Sequence, residues 1–531
     1  MIQFLRNGHK NFIKYNLKKK NYFTQNKNKI LIDYFDDYPT IFVFSSMKDY
    51  LINKYNANLE YFTFNSWQNC QLSVNRPFLE NIRAIINFFG ADRILRKIYY
   101  SFGVKKGITI DYNNFFFKKI AKNHAKEKFL SIKKIEDIYL IKYKKINLGK
   151  YIYQSFLRDY SEPTISINDI RLYKIIEKAI LIYLNIDSYF KKNKVKLLIP
   201  SHTVYLSYGI ITEYAFKKKI KIFRVKSPGY RDKESLKLIR VDSRISELYD
   251  TKNYKKVFNN FKYYLKKKYQ KIGKKILVDR YNGKIEPHLA RQTIIYHTKK
   301  PKIRITYNTK NILILIPCFF DGPGRNEKSL FPDFFQWVIF MIENAKNTNF
   351  NWYIKPHPLG LPKNELIIRD LKKKYSQYKN IFFLDKETSN KYLISQNFKS
   401  IFLHHGNAVA EFAHKKIPVI VSCLDNTSSF NIAIIAKTKE SLKRFIKNAD
   451  KIIFKINKNH IYKFIYMHFE YNLGYKKEER IFRKELNQEI ARFHNLNNPN
   501  INSHKFFNLL DVSDYDYAKK KLPQLLKKIG I

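Results

Sequence analysis

The chain has 531 residues, of which 45% are hydrophobic, with 43 Phe and 40 Tyr; this excludes compositional disorder and leaves room for more than one core. Its 101 Lys and Arg stand against 44 Asp and Glu, a formal net charge of +57. A low-GC genome accounts for part of that excess, and attraction to a polyanion or an anionic membrane face is the functional reading of the rest.

Residues 1–38 read as a basic N-terminal segment with one short apolar patch, Ile30-Leu31-Ile32. Residues 40–44 then read as a strand, 47–55 as a helix and 59–64 as a second strand, the start of a β-α-β pattern. From 77 to 193 the reading is mainly helical, with a long candidate helix over 167–192. A strand over 195–199 runs into Ser201-His202-Thr203, followed by a helix over 208–218 and a strand over 220–223. Residues 227–300 are charged and weakly periodic, read as helices and a connection. Strands are then predicted over 312–316, 352–354, 381–384, 400–403 and 419–421. Helices fill the gaps, at about 330–345, 363–375, 388–396, 407–415 and 439–447. Continuous apolar strands between amphipathic helices predict a parallel sheet covered on both faces. The tail reads as helical and basic. The expected class is therefore α/β, with a Rossmann-like domain over 39–300 that carries a large helical insertion, a second Rossmann-like domain over 301–450 and a helical tail over 451–531. Ligands are expected beyond the carboxyl ends of the strands, in a cleft between the two sheets.

Cys70, Cys318 and Cys423 are far apart and form no C-x-x-C pair, which argues against a disulfide framework or structural zinc and fits a reducing compartment. No signal-peptide core and no apolar run of about 18 residues is present. A cytoplasmic protein is expected, touching the inner membrane from that side at most. Zinc-finger, RNA-binding and basic-zipper signatures are missing, so no specific nucleic-acid partner is expected.

Two strand ends carry the chemistry. Lys355-Pro356-His357-Pro358 closes the strand over 352–354, and its prolines should display Lys355 and His357 rather than bury them. The functional reading is a phosphate contact from His357 with charge from Lys355; the alternative is a rigid turn. His404-His405-Gly406-Asn407 follows the strand over 400–403 and opens into a helix. Gly406 permits close backbone approach, and Asn407 as N-cap would leave first-turn N–H groups for a phosphate. Glu411, one turn on, would hold a ribose or base; the alternative pairs it with Lys415. In the loop 321–326, Asp321 is a candidate general base and Arg325 a candidate phosphate contact, or the loop is a plain turn. His202 is a candidate catalytic residue on the acceptor side, or a half-buried residue at a capped helix start. The four histidines between 357 and 414 lack metal-ligand spacing, so no metal is expected.

The order Phe319-Phe320-Asp321-Gly322-Pro323, then 330–337, then 351–358 with its Lys-Pro-His-Pro, then His405-Gly406-Asn407 with Glu411 and Ile417-Pro418-Val419-Ile420, resembles bacterial capsule polysaccharide biosynthesis proteins. These are related to capsule Kdo-transferases and, more distantly, to polysialyltransferases and teichoic-acid glycerophosphotransferases. Weaker echoes occur over 148–158 and 199–205. The resemblance implies a GT-B glycosyltransferase: metal-independent, needing no cofactor and often spending a CMP-activated sugar. In it the first domain would take a lipid-linked or polymeric glycan acceptor and the second the nucleotide-sugar donor. It implies that His357-Pro358 contacts the donor phosphate and that His405-Gly406-Asn407 completes the pocket. Gly406-Asn407-Ala408 stands where polysialyltransferases have a Ser/Thr motif, so the nucleotide is left open. The rival readings are a CDP-alditol phosphotransferase of teichoic-acid type and a non-catalytic basic scaffold for anionic polysaccharide or nucleic acid.

Overall fold

The computed structural model describes residues 7–17, 27–35, 38–64, 92–226, 237–240, 254–260, 263–281, 300–307, 310–320, 329–358, 362–424, 426–471, 507 and 510–528. The chain forms two compact units. One takes the described residues within 1–155, 168–247 and 475–531, and the other those within 156–167 and 248–474.

The first unit is built on strands β1 (Asn28–Asp33), β2 (Asn58–Thr63), β3 (Lys105–Thr109), β6 (Lys194–Ile199), β7 (Lys221–Lys226) and β8 (Lys237–Arg240), in the order β3-β2-β1-β6-β7-β8. All neighbours are parallel except β7 and β8. A separate two-stranded hairpin is formed by β4 (Lys142–Tyr143) and β5 (Ile146–Asn147). The sheet order is that of a doubly wound Rossmann sheet, which reverses direction between β1 and β6.

Two readings of this unit are corrected. The patch Ile30-Leu31-Ile32 is the heart of the central strand β1, with residues 30–33 all buried. Six residues suffice for a strand flanked on both sides, and the polar surroundings hid it. Residues 40–44 are helical, inside Tyr38–Tyr55. Ile41, Phe42, Val43 and Phe44 are all fully buried, and a short all-apolar run fits a helix buried all round as well as a strand. Pro39, in the first turn, favours the helix start.

The helix Val512–Lys528 belongs to this unit's core. Tyr515, Ala518, Leu522 and Leu526 pack with Phe12, Ile41 and Met47, Tyr15 stacks on Tyr515 at 3.8 Å, and Lys519 pairs with Asp49 at 3.2 Å.

The second unit carries β9 (Asn311–Leu315), β10 (Asn351–Lys355), β11 (Ile381–Phe383), β12 (Phe398–Leu403), β13 (Val419–Val421) and β14 (Ile434–Ile435), in the order β11-β10-β9-β12-β13-β14. Every neighbour is parallel, and the order is again Rossmann-like, reversing between β9 and β12. Both faces are buried. Ile312 and Ile314 pack with Trp337, Trp352 and Leu442 on one side, while Leu313 packs with Val409, Ile461 and Phe464 on the other. That two-sided burial is why the strands are continuous apolar runs rather than alternating ones. Among the described residues no helix is long and apolar enough to cross a membrane.

Candidate functional site

Register fixes where the second unit's motifs meet. Leu315, near the end of β9, pairs with Lys355 of β10 on one side and Leu403 of β12 on the other. At a strand spacing of about 4.8 Å, the start points of the two motif loops are therefore about 10 Å apart across one strand. They leave the carboxyl edge at the switch point, where open α/β sheets bind ligands.

Lys355 corrects an expectation. It is the last residue of β10 and is 6% exposed, not displayed by the prolines, because its carbonyl still accepts from Ile316 N at 3.0 Å in the ladder. Beyond the strand Pro356 is buried as well, and His357 and Pro358 are half-buried. Burial pushes the Lys355 ammonium down to about 8, partly opposed by the carboxylates of Glu411 and Glu387. Among the described residues no carboxylate lies within the 4.0 Å of an ion pair with it.

Glu411 is held elsewhere. Arg280 approaches its Oε1 from Nε at 3.1 Å and from Nη2 at 2.5 Å, and Asn390 donates to its Oε2 at 3.0 Å. The Tyr281 hydroxyl donates to its carbonyl. Lys415 sits over the Tyr281 ring instead.

At the end of β12 a proton order can be read. The Ser329 hydroxyl donates to the Phe331 carbonyl at 2.8 Å, so its oxygen accepts from His404 Nε2 at 3.0 Å. Burial, and then His405, hold His404 far below the ordinary imidazole range, so it is neutral. With its proton on Nε2, its Nδ1 accepts from His405 Nδ1 at 2.9 Å. His404 is 2% exposed, under the rings of Phe334 and Trp337; it stands behind His405 and orients it. Cys423, just beyond β13, donates its thiol to the His404 carbonyl at 3.1 Å. The ligand atoms of His404, His405 and Cys423 thus gather within 4.8 Å of one another, a cluster that spacing along the chain does not reveal. The two imidazoles spend their facing nitrogens on each other, and an ion there would have to break that bond.

Gly406 has φ +133°, and among the described residues nothing lies within 4 Å of where a Cβ would stand. Glycine is required there by the backbone, and the space beside it is open to a ligand. Asn407 is at the N-cap but makes no side-chain capping bond. Its φ of −68° and ψ of −21° are already helical, which turns the amide away from the N–H groups it was expected to accept from. Val409 N and Ala410 N donate to the carbonyls of Gly406 and Asn407 at 3.2 Å each, so they are not left for a phosphate.

In the first unit, His202 lies past the end of β6, beside Asp33 at the end of β1. The helix that follows, Tyr205–Lys217, is capped by other means than expected: Tyr205 N and Leu206 N donate to Gln154 Oε1 at 3.2 Å and Ser155 Oγ at 2.8 Å. Asp321 and Arg325 lie outside the described residues. Sequence reasoning missed Asp33, Arg280, Asn390 and Ser329. Asp33 alone had a usable signal, as a carboxylate directly after an apolar triplet.

No family model matches the chain, and no curated protein matches it. Among solved structures it is similar to Thermosulfurimonas dismutans KpsC, a beta Kdo 2,4 transferase, at 12% identity and TM-score 0.33, covering 51% of this chain and 80% of that one. It is also similar to UDP-GlcNAc 2-epimerase from Neisseria meningitidis bound to UDP-GlcNAc, at 11% and 0.25, covering 82% and 98%. A third similarity is to Glycyrrhiza uralensis UGT73P12, complexed with glycyrrhetinic acid 3-O-monoglucuronide, at 9% and 0.24, covering 94% and 98%. Two Rossmann-like sheets and a C-terminal helix give this chain a GT-B-like fold.

Proposed function

We propose that the protein is a metal-independent glycosyltransferase of capsular or surface polysaccharide assembly. It takes a sugar from a nucleotide-activated donor to a lipid-linked or polymeric glycan, in contact with an anionic membrane face. The observation that carries the reading is Lys355. Burying an ammonium costs several kcal/mol; Lys355 has no ion-pair partner among the described residues, and it stands at the end of β10, across one strand from the open backbone at Gly406. A phosphate there would satisfy the ammonium, and His357, beyond the same strand, supplies a further donor. As the sugar leaves, negative charge grows on the nucleotide phosphate, and these preorganised groups stabilise it without a metal.

The test is thermal-shift binding of CMP, CDP, UDP and GDP at low and moderate salt. Binding to the folded state alone raises the melting point by mass action. One nucleotide should stabilise selectively and salt-resistantly, and His357→Ala should lose that shift. Equal shifts for all four that vanish with salt would leave a basic surface and sink the donor-site assignment.

A further inference from the structure

The ends of β12 and β13 bring two imidazoles and a thiol together within the second unit. Leu403 pairs with Val421 in the parallel ladder, so the residues that follow the two strands run side by side. Ser422 N donates to the His404 carbonyl at 3.3 Å, and the Cys423 thiol donates to the same oxygen at 3.1 Å. One ligand atom each from His404, His405 and Cys423 falls within 4.8 Å of the other two. His404 and Cys423 are buried and His405 is half-buried.

Imidazole and thiolate together suit Zn²⁺. With Zn–N of about 2.0–2.1 Å and Zn–S of about 2.3 Å, a tetrahedral site sets its nitrogens about 3.3 Å apart and nitrogen and sulfur about 3.6 Å apart. The facing nitrogens of His404 and His405 stand 2.9 Å apart and need to part by only about 0.4 Å. The widest of the three separations needs to close by about 1.2 Å at most. The His404 ring is set for such a bond. Ser329 donates its hydroxyl proton to the Phe331 carbonyl and accepts from His404 Nε2, which leaves Nδ1 with the lone pair. A histidine that binds a metal characteristically hands its other N–H to an outer partner of this kind. The ion displaces the His405 hydrogen bond from that lone pair, so one bond between rings gives way to two metal–nitrogen bonds.

We propose that His404, through Nδ1, His405 and Cys423 bind one Zn²⁺, with the fourth position left to water. The ion ties the loop after β12 to the end of β13. Cys423 releases its thiol proton to solvent as Sγ bonds the ion, and both imidazoles bind as neutral rings. Spacing along the chain hides the set, because Cys423 lies nineteen residues past His404 and meets it across a strand pair. The inference does not rest on the transferase reading, in which Lys355 and His357 meet the phosphate; the ion is a clamp and not a reactant.

Titration of the chelator-stripped full chain with Zn²⁺ and, separately, with Co²⁺ tests it. One Zn²⁺ per chain should survive dialysis against citrate and raise the melting temperature by mass action. Co²⁺ should give a thiolate-to-metal charge-transfer band in the near ultraviolet. Cys423→Ser should lose that band, and Cys423→Ser and His405→Gln should each bind Zn²⁺ at least about 100-fold more weakly. Ser329→Ala removes no ligand and should weaken binding about 10- to 100-fold, while Cys318→Ser should bind as wild type does. Wild type alone can overturn the proposal, whether or not a variant folds: no thiolate band with Co²⁺, or no Zn²⁺ retained against citrate, ends it. So does a band that survives in Cys423→Ser and disappears in Cys318→Ser. None of these outcomes touches the nucleotide test above, and failure of that test leaves the ion site standing.

Discussion

Burial holds the Lys355 ammonium at about 8 in the folded protein, against about 10.4 in an unfolded chain. Between those values the unfolded state binds more protons, so this group makes stability rise with pH. Its penalty is present in full below about pH 8 and fades as pH approaches the ordinary lysine range. That difference corresponds to about 3 kcal/mol at most. Lys355→Met keeps the length and removes the charge. We expect it to stabilise the second unit by about 1–3 kcal/mol at pH 7, with the gain shrinking by pH 10. It should at the same time abolish selective nucleotide stabilisation. Urea unfolding followed by tryptophan fluorescence checks this, since Trp337 and Trp352 both lie in that unit's core. A variant less stable than wild type at pH 7 would mean that Lys355 is satisfied internally and is no phosphate site. At this scale the chain names its residues well and their surroundings poorly. Lys355, His357, His405 and Gly406 stand out from strand-end position and residue type alone. That Lys355 is buried beside Leu315, that Ser329 accepts from His404, and that Ser201 donates to Asp33 all depend on partners 40 or more residues away, which no local pattern records.

Helices carry the site's supports, and one glycine decides how. Tyr263–Tyr281 delivers Arg280 and Tyr281 to Glu411 while lying against Lys458–Ile465. At Gly273 the approach is so close that a Cβ would stand 2.5 Å from the Tyr462 carbonyl oxygen. In an open helix Gly→Ala would add about 1 kcal/mol of stability. Here the obstacle is backbone, which cannot swing aside, and overpacking of this kind costs about 1–3 kcal/mol. Gly273→Ala should therefore lower the melting temperature and weaken nucleotide binding by displacing Arg280 from Glu411. A rise in melting temperature with unchanged binding would show the two helices to be free to part. The helix is Lys-rich outside, yet its inner face carries Tyr269, Ile272, Ile276 and Leu277 beside Gly273, an apolar face within the stretch 227–300 that the sequence analysis reads as weakly periodic. The second sheet was legible nearly strand by strand, since full burial on both faces writes continuous apolar runs. Its sixth strand, β14, has only two residues and left none. In the first sheet β1 hid in a basic segment and β3 in a stretch read as helical, each too short to dominate its window.

At the scale of the whole chain, +57 charges need an address as well as a cause. The helix Phe115–Leu130 offers one. Phe115 and Phe116 are 78% and 66% exposed at its start. Lys119, Lys122 and Lys126, all exposed, follow Phe115 at i+4, i+7 and i+11 and so share its face. Exposed aromatics beside a basic stripe match a peripheral membrane contact, the rings entering the interface and each lysine adding about 1 kcal/mol at an anionic surface. A glycan acceptor anchored in lipid would be met at such a surface. We expect the protein to sediment with vesicles containing phosphatidylglycerol and not with pure phosphatidylcholine. At about 1 M salt, where screening shortens the field to about 3 Å, it should be released. Phe115→Ser with Phe116→Ser should weaken vesicle binding about tenfold or more, since each ring would otherwise bury a large apolar area. Selective nucleotide stabilisation should be untouched, because both residues lie in the first unit. If the double variant binds vesicles as wild type does, the attraction is spread over the whole basic surface and this helix has no special part in it.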